Sequence, residues 1–227
     1  MYLRYIPDWL QRQLPTYTWR LPTSPERPTI YLSFDDGPTP DITTWVLEQL
    51  AQYDAKATFF WVGEQVMRHP ELAHKVLDAG HAAGNHSHTH LNGREVNTHR
   101  YLRDFLRAQQ TIEEYTGFAP RLFRPPYGRL RKAQRQAILQ YHEIVMMDVV
   151  SGDFDPRRSG QECAEAVIRN TRPGSIILLH DSLKAWPRLE VALPRILSHF
   201  ADKGYSFAAH PDPIAAPREL SPADLFA

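Results

Sequence analysis

The sequence predicts an α/β fold, a parallel sheet of about seven strands joined by crossover helices and curled into a barrel or partial barrel. Three observations carry this reading. Short apolar runs alternate with helically spaced apolar residues from position 29 to position 208. Some runs, such as residues 175–179, are apolar but for a leading serine, as expected of buried strands. The 227 residues, 42% hydrophobic and 23% charged, suit one globular domain with a sizeable core.

Residues 1–28 precede the alternation. Pro7, Pro15, Pro22, Pro25 and Pro28 exclude one long helix there. Tyr2, Tyr5, Trp9, Tyr17 and Trp19 are expected to pack this stretch onto the domain as an extended arm, with a short helix near 9–14. The first strand, 29–34, ends at Asp35, Asp36, Gly37 and Pro38. Thr39 can cap a helix with Pro40 at its first position, and Ile42, Trp45, Val46 and Leu50 follow at helical spacing. Residues 57–62 read as the second strand, and a helix through Leu72, Val76 and Leu77 stops at Gly80. A short strand, 81–85, leads to a long helix marked by Tyr101, Leu102, Phe105, Leu106 and Ile112 that ends at Gly117. Then come a strand at 122–123, a helix over 131–141 and a strand over 143–149. A helix through Cys163, Val167 and Ile168 precedes the strand at 175–179. The last long helix carries Leu189, Leu193, Ile196, Leu197 and Phe200, with Pro194 a kink or late start, and the last strand is 205–208. This divides the chain into an arm (1–28), a barrel domain (29–210) and a loose Pro- and Ala-rich tail (211–227).

Composition excludes several functions. Formal net charge is zero, so nucleic acid is not a favoured partner. Cys163 is the single cysteine, which excludes an internal disulfide and fits a small core residue. No apolar run is long enough to span a membrane, and residues 1–10 lack the apolar core of a secretory signal, so a cytoplasmic protein is expected, or an exported one if a signal has been removed; a monomer is expected. No Gly-rich phosphate loop suggests a nucleotide cofactor.

Five stretches carry candidate chemistry. Asp35 and Asp36 are adjacent like charges at the end of a buried strand, where a metal ion is the commonest compensation; the plainer reading is a solvated turn. His86 and His90 are four apart, so on one helical turn both rings face the same way, while His88 points elsewhere. Two His with one carboxylate form an open site for a catalytic divalent metal. Arg124 sits before two prolines, on a rigid turn that suits bidentate pairing with a carboxylate. Asp148 and Asp153 follow the 143–149 strand, and His180 follows the 175–179 strand; singly these are ordinary turn residues. Collectively they are not ordinary. All five stretches follow predicted strands, and in a parallel α/β barrel the carboxyl ends of the strands gather at one face. Carboxylates, imidazoles and an Arg in one cleft suit hydrolysis assisted by one metal; a two-metal phosphoesterase would want more ligands.

Five motifs, in order, resemble those of the polysaccharide deacetylases, carbohydrate esterase family 4 or the NodB-homology fold: Ser-Phe-Asp-Asp-Gly-Pro (33–38), His-Ser-x-Thr-His (86–90), Arg-Pro-Pro-Tyr-Gly (124–128), Ser-x-Asp-Phe (151–154) and Leu-Leu-His-Asp (178–181). The resemblance implies a distorted (β/α) barrel that removes N-acetyl, or in some members O-acetyl, groups from sugars. It implies that Asp36, His86 and His90 hold one divalent metal, usually Zn2+ and in some members Co2+ or Ni2+. It further implies Asp35 as general base, His180 as general acid, Arg124 positioning Asp35, and Asp153 orienting His180. The Tyr127 N–H would help hold the oxyanion, and Leu178 would line the pocket for the acetyl methyl. One departure is Phe154, where the family usually has Trp; an aromatic wall is kept and an N–H donor lost. Without a secretion signal, a soluble amino-sugar oligomer or a lipid-linked precursor is the expected substrate. A carbohydrate-binding relative without activity is the competing expectation, but it would be expected to lack Asp35 or His180, and both are present.

Overall fold

The computed structural model describes residues 3–211; Tyr2 and the tail expected beyond position 211 lie outside the described residues. In chain order the elements are α1 (Asp8–Gln11), β1 (Thr29–Asp35), α2 (Ile42–Ala51), β2 (Ala57–Trp61), α3 (Gly63–Arg68), α4 (Pro70–Asp78), β3 (Ala82–Asn85) and α5 (Thr98–Thr116). They continue with β4 (Leu122–Phe123), α6 (Lys132–Ile138), β5 (Glu143–Ile144), β6 (Val149–Val150), α7 (Gly160–Asn170), β7 (Ile176–His180), α8 (Trp186–Asp202) and β8 (Ser206–Phe207). The sheet order is β5-β4-β3-β2-β1-β7-β6, with every pairing parallel and β8 added beside the start of β1. This is a curled half-barrel with helices packed outside, the distorted (β/α) barrel that the sequence predicts.

Strand periodicity sorts the residues of β1 between two cores. Ile30, Leu32 and Phe34 join the outer core with Val46 of α2, Val167 of α7 and Leu193 of α8. Tyr31 faces the inner core, and Ser33 and Asp35 follow it on that face of the strand. On β7, Ile177 and Leu179 face out, while Ile176 and Leu178 face in. Because both faces are covered, these strands read in sequence as continuous apolar runs.

Some elements depart from expectation. Helix α2 begins at Ile42, not after Thr39; the Thr39 N–H instead donates to the Thr43 hydroxyl (2.7 Å). The single helix expected before Gly80 is two, α3 and α4, broken where Pro70 follows His69. Proline offers no N–H and disfavours a helical residue before it. Helix α8 runs through Pro194. The helix expected over 131–141 is shorter, Lys132–Ile138.

The strand expected over 143–149 is two short pieces at opposite edges of the sheet, β5 on β4 and β6 on β7. Between them Val145, Met146 and Met147 cross the inner core, fully covered, which is why the run looked like one strand. The arm closes this gap. Thr18 donates to the Ile144 carbonyl (2.9 Å) and accepts from the Met146 N–H (2.7 Å). Ile6 donates to the Asp148 carbonyl (2.8 Å), and Arg4 accepts from the Val150 N–H (2.9 Å). Edge strands left open would expose unpaired backbone, and the arm supplies the missing partners. Tyr17 is buried as expected, but Trp9 is 64% exposed.

Candidate active site and metal centre

Asp35 ends β1, and His180 ends β7 as its register partner on the neighbouring strand. Two positions upstream, Ser33 and Leu178 are also partners. The pairing places a carboxylate and an imidazole side by side at the carboxyl end of the sheet. Both line a cleft of about 400 Å3 together with Asp36, His86, His90, Tyr127, Phe154 and Leu178.

Arg124, at the end of β4, is completely buried beneath Asp35. Its Nη1 donates to Asp35 Oδ1 (2.8 Å) and to Ser33 Oγ (2.8 Å). Its Nε and Nη2 donate to the carbonyls of Val145 (3.1 Å) and Met146 (2.9 Å). The guanidinium lies 4.0 Å from the centre of the Phe60 ring. The expected bidentate pairing is therefore absent: one nitrogen holds the carboxylate, and the others tie the Arg to the crossing segment. Asp35 Oδ2 is left facing the cleft, 3.7 Å from His86 Nε2.

His86 and His90 converge, with ring centres 5.1 Å apart, but not from a helical turn. Residues 86–90 form an irregular turn in which Ser87 and His90 have positive φ (64° and 56°). Three neighbours hold it. The Ser87 and His88 carbonyls accept from Gly63 and Glu64 at the start of α3 (3.0 and 3.1 Å). Asn85 Oδ1 accepts from the Ser87 N–H (2.7 Å). Asp104 of α5 accepts from the His88 and Thr89 N–H groups (3.0 and 3.1 Å) and from the Thr89 hydroxyl (2.8 Å). Asp104 escaped the sequence reading; its signal was an acid embedded between Leu102 and Phe105 on the apolar stripe of α5. His88 turns away from the cleft into a buried position, where a Cβ at Gly63 would meet its ring at 2.4 Å.

The donor set fits a divalent metal. Single atoms of Asp36, His86 and His90 lie within 4.8 Å of one another, with Asp36 Oδ1 3.3 Å from His90 Nε2 and 3.8 Å from His86 Nε2. His86 Nδ1 is 2.7 Å from the Arg124 carbonyl, which can only accept, so Nδ1 carries the proton and Nε2 keeps its lone pair for a metal. Burial holds His86 at about 4, against the nearby Asp35 and Asp36 charges, so the ring is neutral at pH 7. Burial pushes Asp36 up, but the hydrogen bond to His90 and the neighbouring imidazole charges outweigh it and leave Asp36 below the usual carboxylate range. Among the described residues no second such cluster is found.

On the other strand, His180 Nδ1 donates to Asp153 Oδ1 (2.8 Å), while the His180 N–H donates to Asp153 Oδ2 (2.8 Å). Burial disfavours the imidazolium, but the adjacent Asp153 charge and hydrogen bond, with Asp36 and Asp35 farther off, raise His180 to about 9. Phe154 meets the His180 ring edge-on at 5.3 Å. Asp181 supports the pair of acids from behind, accepting from the Gly37 N–H (3.1 Å) and the Thr43 hydroxyl (2.6 Å). A Cβ at Gly37 would lie 2.1 Å from that carboxylate, so the turn needs glycine there. Tyr127 sits in the left-handed region (φ 59°), its exposed ring edge-on to His90 at 4.7 Å. Asp148 takes no part in the cleft; it accepts from Ser175 Oγ (2.9 Å) and the Ile176 N–H (3.0 Å), fastening the crossing segment to β7.

Residues 23–143 match the family model for polysaccharide deacetylases. The chain belongs to this family. It is 34% identical over 196 residues to a peptidoglycan-N-acetylglucosamine deacetylase of Bacillus cereus, covering 84% of this chain and 89% of that one. Among solved structures, a peptidoglycan N-acetylglucosamine deacetylase superposes with a TM-score of 0.81 at 28% identity, covering 91% of this chain and 96% of the other. The peptidoglycan deacetylase PdaC of Bacillus subtilis superposes with a TM-score of 0.75 at 30% identity, covering 82% and 90%. As a polysaccharide deacetylase the chain is a hydrolase, and the cleft lies at the carboxyl ends of its strands.

Proposed function

We propose that this polysaccharide deacetylase hydrolyses N-acetyl groups on amino sugars in oligo- or polysaccharides, with Asp35 as base, His180 as acid and one divalent metal on Asp36, His86 and His90. The observation that carries the reading is the register pairing of Asp35 with His180 beside the converged donors. A metal bound there supplies Lewis acidity, polarising the acetyl carbonyl and bringing ionisation of a water toward neutral pH; Zn2+ is the first candidate for this donor set.

The chain's own residues supply the proton traffic. Asp35, fixed by Arg124, takes a proton from the attacking water as its oxygen bonds to the acetyl carbon. The Tyr127 N–H contributes to holding the oxyanion, a contribution of roughly 3–4 kcal/mol for a well-placed donor. His180, its Nδ1–H held by Asp153, gives the proton on Nε2 to the sugar nitrogen as the carbon–nitrogen bond breaks. The products are acetate and a free amine. An amine is a poor leaving group unless protonated, and a His180 raised to about 9 keeps its proton at neutral pH. Leu178 and Phe154 form the wall beside the acetyl group, and Arg124 and Asp153 are positioning residues.

Peptidoglycan-type glycans are the first substrates to test, since the relatives are named for them. Acetate release should appear with N-acetylglucosamine oligomers or peptidoglycan in the presence of added Zn2+, Co2+ or Ni2+, and not with acetylated xylan alone. Release from acetylated xylan alone would make the protein an O-acetyl esterase.

The pH dependence follows from the two proton carriers. His180 must be protonated, so kcat/KM should fall as pH rises through its pKa. A divalent cation beside Asp35 and Asp36 offsets the charges that help raise His180, so the alkaline limb of the loaded enzyme should lie below about 9. The acid limb reports proton uptake by Asp35 or the ligand imidazoles. A kcat/KM profile of His180→Ala that keeps the wild-type alkaline limb would remove His180 from the mechanism.

A further inference from the structure

The cleft does not stop at the reacting groups. Leu178 lies two positions before His180 on β7, so both face the same side of the strand and both line the cleft. Val150 of β6 is the register partner of Leu178, and Met146 and Met147 of the crossing segment line the cleft with it. Beyond them stands the arm. The Val150 N–H bond to the Arg4 carbonyl and the Ile6 N–H bond to the Asp148 carbonyl, 2.9 and 2.8 Å, fasten the arm to this edge of the sheet. There Leu3, Ile6 and Leu10 form the far wall of the same cleft. Leu3 is 52% exposed, so an apolar surface at the mouth is left uncovered by the described residues of the chain.

The trough from Leu178 over Val150 to Ile6 and Leu10 is aliphatic and suits methylene groups, whereas sugar hydroxyls require hydrogen-bond partners; the rings of Trp19, Tyr127 and Phe154 line the same cleft. Apart from the catalytic and metal-donor groups, the one charged side chain lining it is Lys184. The trough begins beside the acid, where the acyl part of the substrate amide would point. The arm residues that build its far wall precede the segment matching the family model.

We propose that this cleft accepts linear N-acyl groups longer than acetyl, the alkyl chain running from Leu178 over Val150 to Ile6 and Leu10 of the arm. The substrate class is then an amino sugar bearing an acyl amide of several carbons. This rests on the deacetylase reading, because it takes the same reacting centre and lengthens only the acyl side.

The test is a kcat/KM series on the zinc-loaded full chain with N-acetyl, N-propionyl, N-butyryl and N-hexanoyl chitotriose. The butyryl and hexanoyl compounds are expected to match or exceed acetyl, with a gain of up to about fourfold per methylene that becomes fully buried. In Leu3→Asp and Leu10→Ser the hexanoyl rate should fall at least tenfold, while the acetyl rate stays within twofold. The exposed Leu3 makes the first variant safe for folding, and circular dichroism checks both. A tenfold loss for each added methylene, or variants that lower all four substrates equally, would overturn the proposal. So would a preference for the octyl glycoside of N-acetylchitotriose without any gain on the longer acyl amides, since it would place the alkyl chain on the aglycone. Release of acetyl alone sinks this inference and leaves the deacetylase reading standing. Release of no acyl group from any substrate sinks both.

Discussion

Asp35→Asn is expected to keep its metal and lose about 10²–10⁴-fold in kcat, the usual loss when a general base is removed. The amide still offers an oxygen to Arg124 Nη1, which now bonds Asp35 Oδ1 at 2.8 Å, so the geometry of the cleft should persist. What disappears is the negative charge facing the water and the counter-charge for a guanidinium with no exposed surface. A buried charge that loses its partner costs up to about 3–5 kcal/mol, so the variant should also melt earlier. Rates must therefore be taken well below its melting temperature. The four other acceptor contacts of Arg124, from Ser33, Val145, Met146 and the Phe60 ring face, limit that loss. If Asp35→Asn releases the metal while Asp36→Asn retains it, the roles of the two carboxylates are reversed.

Asp36→Asn is expected to behave differently, losing metal and activity together. Asp36 Oδ1 lies 3.3 Å from His90 Nε2 and 3.8 Å from His86 Nε2, among the atoms that would surround the ion. A neutral amide is a much poorer donor to a divalent cation than a carboxylate. Loss of an outer partner of a ligand already costs about 10–100-fold in affinity, and loss of the ligand itself should exceed that. Excess zinc should restore part of the turnover in Asp36→Asn and none in Asp35→Asn. That difference separates a ligand from a base without relying on the size of either effect. Metal content by elemental analysis, measured beside acetate release, reads both.

Much of this site was legible from residue types at strand ends. Asp35, Asp36, His86, His90, Arg124, Asp153 and His180 each end or follow a short buried strand, and parallel topology alone brings such positions to one face. The supports were less legible, because spacing does not reveal partners distant in sequence. Residues 86–90 look helical in spacing, yet the turn is irregular and clamped by Asp104 from another helix. Residues 143–149 look like one strand because every apolar side chain there is covered. Hydrophobicity records that they are covered and not which neighbour covers them, so the split between the two sheet edges was invisible. The aromatics of residues 1–28 suggest an arm packed through its side chains, yet Trp9 is largely exposed. That the arm's backbone completes the sheet edges depends on hydrogen bonds between residues more than 120 positions apart, for which no local signal exists.

The most direct test of the central claim is a zinc titration of the metal-stripped protein, following acetate release from an N-acetylglucosamine oligomer. No release is expected before addition, then a linear rise and a plateau at one zinc per chain. Release that is undiminished after stripping, or that needs two tightly bound ions per chain, would contradict it.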